Sequence, residues 1–109
     1  MTDIYLSRFI GPTAARGQTA WTKAALLLDG SSQEMLDANA DRVGFIVFNR
    51  IGNAVIDIDI AGGAVTAGGG RTITGGNDYY FTGVYCPTGA VTVIGAPGQT
   101  ITYWEGVKS

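Results

Sequence analysis

Two aspartates two residues apart, Asp57 and Asp59, have the spacing in this 109-residue chain that comes nearest to a reactive pair. On an extended strand, successive same-face residues lie roughly 6.5–7 Å apart, a separation that suits a water-mediated acid–base displacement. Calcium is the other option, but it takes six to eight oxygen ligands, and no Asp-rich loop lies nearby. Solvent-facing carboxylates that discourage stray edge pairing explain the pair more simply. The chain has no histidine, which removes Ser-His and Cys-His nucleophile pairs and histidine-based zinc sites. Its single cysteine, Cys86, has apolar neighbours and is expected to be a buried small side chain. The run Gly68-Gly69-Gly70-Arg71-Thr72 lacks the Gly-Lys-Ser/Thr or strand-to-helix context of a phosphate cradle, and reads as a loop. Trp21, Tyr79, Tyr80, Tyr85, Tyr103 and Trp104 include candidates for a sugar-stacking platform, although core or subunit-interface packing accounts for them better. These residues predict no catalytic, metal or cofactor site, and a chain that is not an enzyme.

Charged residues make up 15% of the sequence, against about 25% in a typical soluble domain. Such sparse charge fits a surface partly covered by neighbours, or one clothed in neutral Thr and Asn. The net charge is −2, and Lys23, Arg42, Arg50, Arg71 and Lys108 form no run that would neutralise a row of phosphates, so nucleic acid is not an expected partner. The longest strongly apolar run, residues 24–28, is far short of the roughly 20 residues of a membrane helix. No basic leader followed by an apolar stretch is visible at the start, and an internal disulfide is excluded by the cysteine count.

Seventeen glycines divide the chain into short runs rich in Val, Ile, Thr, Tyr and Phe, residues that suit a pleated surface. This pattern predicts an all-β fold, a small antiparallel β-sandwich or partly closed barrel. Residues 90–94 and 99–104, joined by Gly95-Ala96-Pro97-Gly98, read as one hairpin; residues 43–48 and 54–60 read as a second. The first arm of the second pair is almost continuously apolar, as expected of a central strand covered on both faces. In its other arm, Ile56, Ile58 and Ile60 alternate with Val55, Asp57 and Asp59. Further strands are expected at residues 21–28, 71–74 and 79–82, and the glycine-rich residues 61–70 read as a flexible loop. Ser31 and Glu34 have a helix-capping spacing, so residues 31–39 hold either one helical turn or a brief strand. Residues 1–20 form an N-terminal arm or edge strand ahead of a domain at 21–109. Its apolar Ile4, Tyr5, Leu6, Phe9 and Ile10 are the candidate subunit contacts.

The stretch Met35-Leu36-Asp37-Ala38-Asn39-Ala40-Asp41-Arg42 leads into the apolar strand and Asn49. It is followed by Pro87-Thr88-Gly89-Ala90-Val91-Thr92-Val93-Ile94-Gly95 and by Gln99-Thr100-Ile101-Thr102-Tyr103-Trp104-Glu105-Gly106. This order resembles small β-sandwich proteins from the structural gene clusters of tailed bacteriophages, over residues 35–106. One departure is Gly75-Gly76-Asn77-Asp78, which stands where the family pattern carries Pro-Gly. The resemblance implies a virion component assembled in the host cytoplasm. The expected role is a capsid decoration (cement) protein that contacts the major capsid protein and self-associates, trimers being favoured. A tail, head–tail joining or fibre component is the alternative, and a carbohydrate-binding module is the alternative from a different class.

Overall fold

The computed structural model describes residues 19–83 and 86–108, and every regular element among them is a strand. The strands are β1 (Thr19–Leu27), β2 (Gln33–Leu36), β3 (Arg42–Asn49), β4 (Ile56–Asp59), β5 (Arg71–Ile73), β6 (Asp78–Thr82), β7 (Val91–Ile94) and β8 (Thr100–Lys108). They form two four-stranded antiparallel sheets, ordered β1-β8-β3-β6 and β2-β7-β4-β5. The fold is an all-β sandwich and not a closed barrel. Residues 1–18, and with them Ile4, Tyr5, Leu6, Phe9 and Ile10, lie outside the described residues.

Neither expected hairpin forms. β7 and β8 belong to opposite sheets, as do β3 and β4, so each connection arches across the core instead of folding back within a sheet. Burial explains the choice: Val91 and Val93 on β7 and Ile101 on β8 are all fully buried, and residues facing one another across a sandwich exclude more water than residues side by side. At the β7–β8 arch, a Cβ on Gly95 would stand 2.5 Å from Leu28 Cδ1, so glycine lets the backbone pass against the core. The arch is tied down by the Gly98 N–H, which donates to the Leu28 carbonyl at 2.9 Å.

The core is Leu28, Phe45, Val47, Ile56, Ile58, Val91, Val93 and Ile101, with Met35, Leu36, Ile73 and Cys86 around it. Phe45, Tyr79 and Phe81 pack ring against ring at centroid separations of 5.5–6.4 Å, in the tilted and edge-on arrangements aromatic quadrupoles favour. Residues 31–39 supply a strand and no helical turn: Ser31 donates from both N–H and Oγ to Asp29 Oδ1, so it closes an Asp29-headed turn instead of capping a helix. Those two bonds hold the Asp29 carboxyl below its ordinary range.

The glycine-rich segment, read from sequence as a flexible loop, is pinned across the outer face of the β2-β7-β4-β5 sheet. Val65 is buried and its N–H donates to Ser32 Oγ at 3.0 Å; Thr92 Oγ1 donates to the Gly63 carbonyl at 2.6 Å. Glycine is required where the loop meets the sheet, since a Cβ on Gly70 would lie 2.3 Å from the Ile58 carbonyl oxygen. One sandwich face is therefore covered by the chain itself.

Candidate functional site

Among the described residues, nothing covers the opposite face. In the β1-β8-β3-β6 sheet the register aligns Trp21, Gly106, Gly44 and Thr82 in one row. The next row is Lys23, Trp104, Ile46 and Tyr80, and the one after it Ala25, Thr102, Phe48 and Asp78. Because Phe45, Val47 and Ile101 point into the core, strand alternation turns these rows outward. Trp21 is 44% exposed and Tyr80 63%, while Trp104, Ile46 and Phe48 are half-buried by their neighbours on the sheet. β3 is apolar on both faces, as a doubly covered strand would be, but the described chain covers only one of them. That mismatch singles out this surface.

The two glycines give the face its shape. A Cβ on Gly44 would stand 2.8 Å from Trp21 Cη2, and one on Gly106 3.0 Å from Trp21 Cζ3. The indole lies down across β8 and β3 on a floor that any larger residue would fill. Beside it the Lys23 ammonium sits 5.7 Å from the Trp104 ring centroid, a cation–π geometry. Arg50 Nε donates to Thr102 Oγ1 at 3.0 Å, which secures the far end of the face.

The aromatic residues singled out in the sequence thus divide. Trp21, Tyr80 and Trp104 come together on the bare face; Tyr79 and Tyr103 pack against the core; Tyr85 is outside the described residues. The signal that would have placed Trp21 is Gly44 within an otherwise apolar strand, since a strand glycine often marks close approach by another group.

The remaining chemical candidates have structural roles. Asp57 is not a solvated strand carboxylate: it is 3% exposed. The loop buries it, and it accepts hydrogen bonds from Thr72 Oγ1 at 2.6 Å and the Gly68 N–H at 2.7 Å. Asp59 accepts from the Ala61 N–H. Between β1 and the β2–β3 connection the sandwich gapes into a groove of about 430 Å³, lined in part by Thr22, Ala24, Met35, Tyr103 and Glu105. Its carboxylate Glu105 is engaged by Arg42 Nε at 2.9 Å. Asp37, which also lines the groove, holds Glu34 above its ordinary range through a hydrogen bond and its negative charge; both are on the surface. No cluster of three or more His, Cys, Asp or Glu able to hold a metal ion exists among the described residues.

Cys86 is buried, and burial pushes its thiol up despite the nearby positive charge of Arg42. Thiolate is the reactive form, so alkylation of the folded protein near neutral pH should run at least about tenfold slower than of the unfolded chain. Equal rates in timed mass-spectrometric labelling would contradict this burial.

Five residues of the motif stretches, Asp37, Arg42, Pro87, Gly89 and Glu105, are joined through one buried side chain. Arg42 is 3% exposed. Nε donates to Glu105 Oε2, one terminal nitrogen donates to the Pro87 and Gly89 carbonyls at 2.9 and 2.7 Å, and the other donates to the Asp37 carbonyl. A bulge makes this possible. Arg42 pairs with Val107 while Gly44 pairs with Gly106, so one extra residue rotates Arg42 from the outer face to the inner. Asn39 prepares the entry, its side chain accepting from the Asp41 N–H and its carbonyl from the Arg42 N–H. No family model matches the sequence, and no match is found among curated proteins.

Proposed function

We propose that this chain is a structural subunit of a larger assembly, namely a bacteriophage virion protein that decorates and stabilises the capsid. Its expected partners are the major capsid protein and copies of itself. The observation that carries the assembly reading is the bare face of Trp21, Trp104, Ile46, Phe48 and Tyr80, opposite a face the chain covers itself. A contiguous apolar patch of this kind is characteristic of interaction sites, and aromatic residues are enriched at interfaces. The phage part of the reading rests on the motif order alone. Particles purified from the source should contain the chain at a fixed copy number, and particles without it would overturn the reading. Density in particle images separates a shell location from a tail or head–tail joining location.

A second reading, a carbohydrate-binding module, is favoured by the Trp21 indole, which is backed by two glycines and partly open to solvent. Stacking of a sugar ring there would change tryptophan fluorescence. A glycan panel that leaves the emission unaltered would remove this reading.

A further inference from the structure

We infer that the bare sheet face mates with the same face of a second copy about a two-fold axis parallel to the strands. The inference rests on the assembly-subunit reading and names the surface that assembly uses. Its starting point is how charge borders the apolar rows. Lys23 lies on the edge strand β1 and Asp78 on the opposite edge strand β6, one row apart. A two-fold axis along the strands, between β8 and β3, lays β1 of one copy over β6 of the other and keeps each row opposite itself. Lys23 then faces the ring of Tyr80 across the interface, with Asp78 one row on, roughly 7 Å along the strand and within reach of a lysine stem. Trp104 faces Ile46, and Phe48 faces the smaller Thr102. An axis across the strands, centred on the same row, would put Lys23 against Lys23.

The glycine floor supports the same arrangement. Gly106 and Gly44 flank the axis, so the two Trp21 indoles lying over them meet across it in the first of the three rows. Three rows at roughly 7 Å and four strands at roughly 4.8 Å give a face of about 400 Å² per copy, and two such faces, about 800 Å², fall at the small end of interfaces, where association is weak and reversible. Extension of the sheet through β1 is the competing contact, since β1 is a nine-residue edge. Lys23 is its middle residue, and a centred antiparallel pairing of two β1 strands would oppose like charges directly, which is destabilising. A dimer is thus proposed in place of the trimer favoured from sequence.

Sedimentation equilibrium of the full chain tests this. Wild type should populate a reversible dimer, and Ile46→Glu should raise its dissociation constant at least about 30-fold with the far-ultraviolet circular dichroism unchanged. Lys23→Glu and Asp78→Lys should each weaken the dimer by about three- to tenfold, and the two combined should recover most of the loss. A wild-type chain that stays monomeric, or an oligomer indifferent to Ile46→Glu, would overturn the two-fold. So would single charge reversals whose effects simply add. A monomer that nevertheless saturates capsid shells would refute this interface and leave the assembly reading intact.

Discussion

Replacing Arg42 with methionine should lower unfolding stability by about 3–5 kcal/mol, the range for removing one partner of a buried charge network. The side chain binds three backbone carbonyls from two connections and the carboxylate of β8. Methionine fills similar volume and donates nothing, so the part-buried carbonyls of Asp37, Pro87 and Gly89 lose a common donor and the two connections lose the side chain that ties them to β3. The Glu105 contact accounts for the smaller share, because that side chain is 24% exposed and solvent screens the pair. Glu105→Gln should therefore lose no more than about 1 kcal/mol. Arg42→Lys should fall near Arg42→Met, since a point ammonium cannot reproduce a planar fork with donors in three directions. For a domain of this size 3–5 kcal/mol corresponds to a melting temperature lower by at least about 12 °C. Arg42→Met melting within about 3 °C of wild type would show the network to be dispensable.

The second large effect is expected at Asn49, which is wholly buried. Its Nδ2 donates to the carbonyls of Ala54 and Ile73, its Oδ1 accepts from Asn53 Nδ2, and its backbone bonds the Gly76 and Asn77 connection. One residue thus fixes the β3–β4 arch and the β5–β6 connection. Asn49→Asp keeps the shape and reverses the polarity, setting a carboxylate against two carbonyl oxygens. The loss at neutral pH should be about 3 kcal/mol or more. The sign of its pH dependence follows from burial, which raises the folded-state pKa of the introduced carboxyl above its unfolded value of about 3.9. The deficit relative to wild type should be smallest below that unfolded value, where both states are protonated, and should grow as pH rises until the folded pKa is passed. A deficit independent of pH would mean that the carboxyl reaches solvent.

Strand positions were legible because β-branched and aromatic residues alternate between glycine-rich turns. β1 and β3 to β8 all fall within a few residues of where composition places them. Pairing was not legible. A turn such as Gly95-Ala96-Pro97-Gly98 specifies a reversal of direction, and both a hairpin and an inter-sheet arch satisfy it; the choice is made by burial of Val91, Val93 and Ile101 against opposite sheets. The same limit applies to Asp57: its alternation with Ile56 and Ile58 places it on the outer face, but only the fold shows that residues 61–70 return to cover that face. The bare surface was half legible. Apolar residues on both faces of β3 announced a strand covered twice, and Trp104 and Tyr80 were visible as candidates. Their union with Trp21 depends on the order β1-β8-β3-β6, a non-local fact that adjacent residues do not encode. Arg42 was visible only as part of a motif, because its inward turn depends on a bulge.

If this sandwich is built into a capsid, purified protein should co-sediment with undecorated capsid shells from its source. Saturable binding is expected, at a copy number fixed by the symmetry of the shell. Protein that remains in the supernatant at every concentration, with shells that are intact and otherwise competent, would contradict capsid decoration.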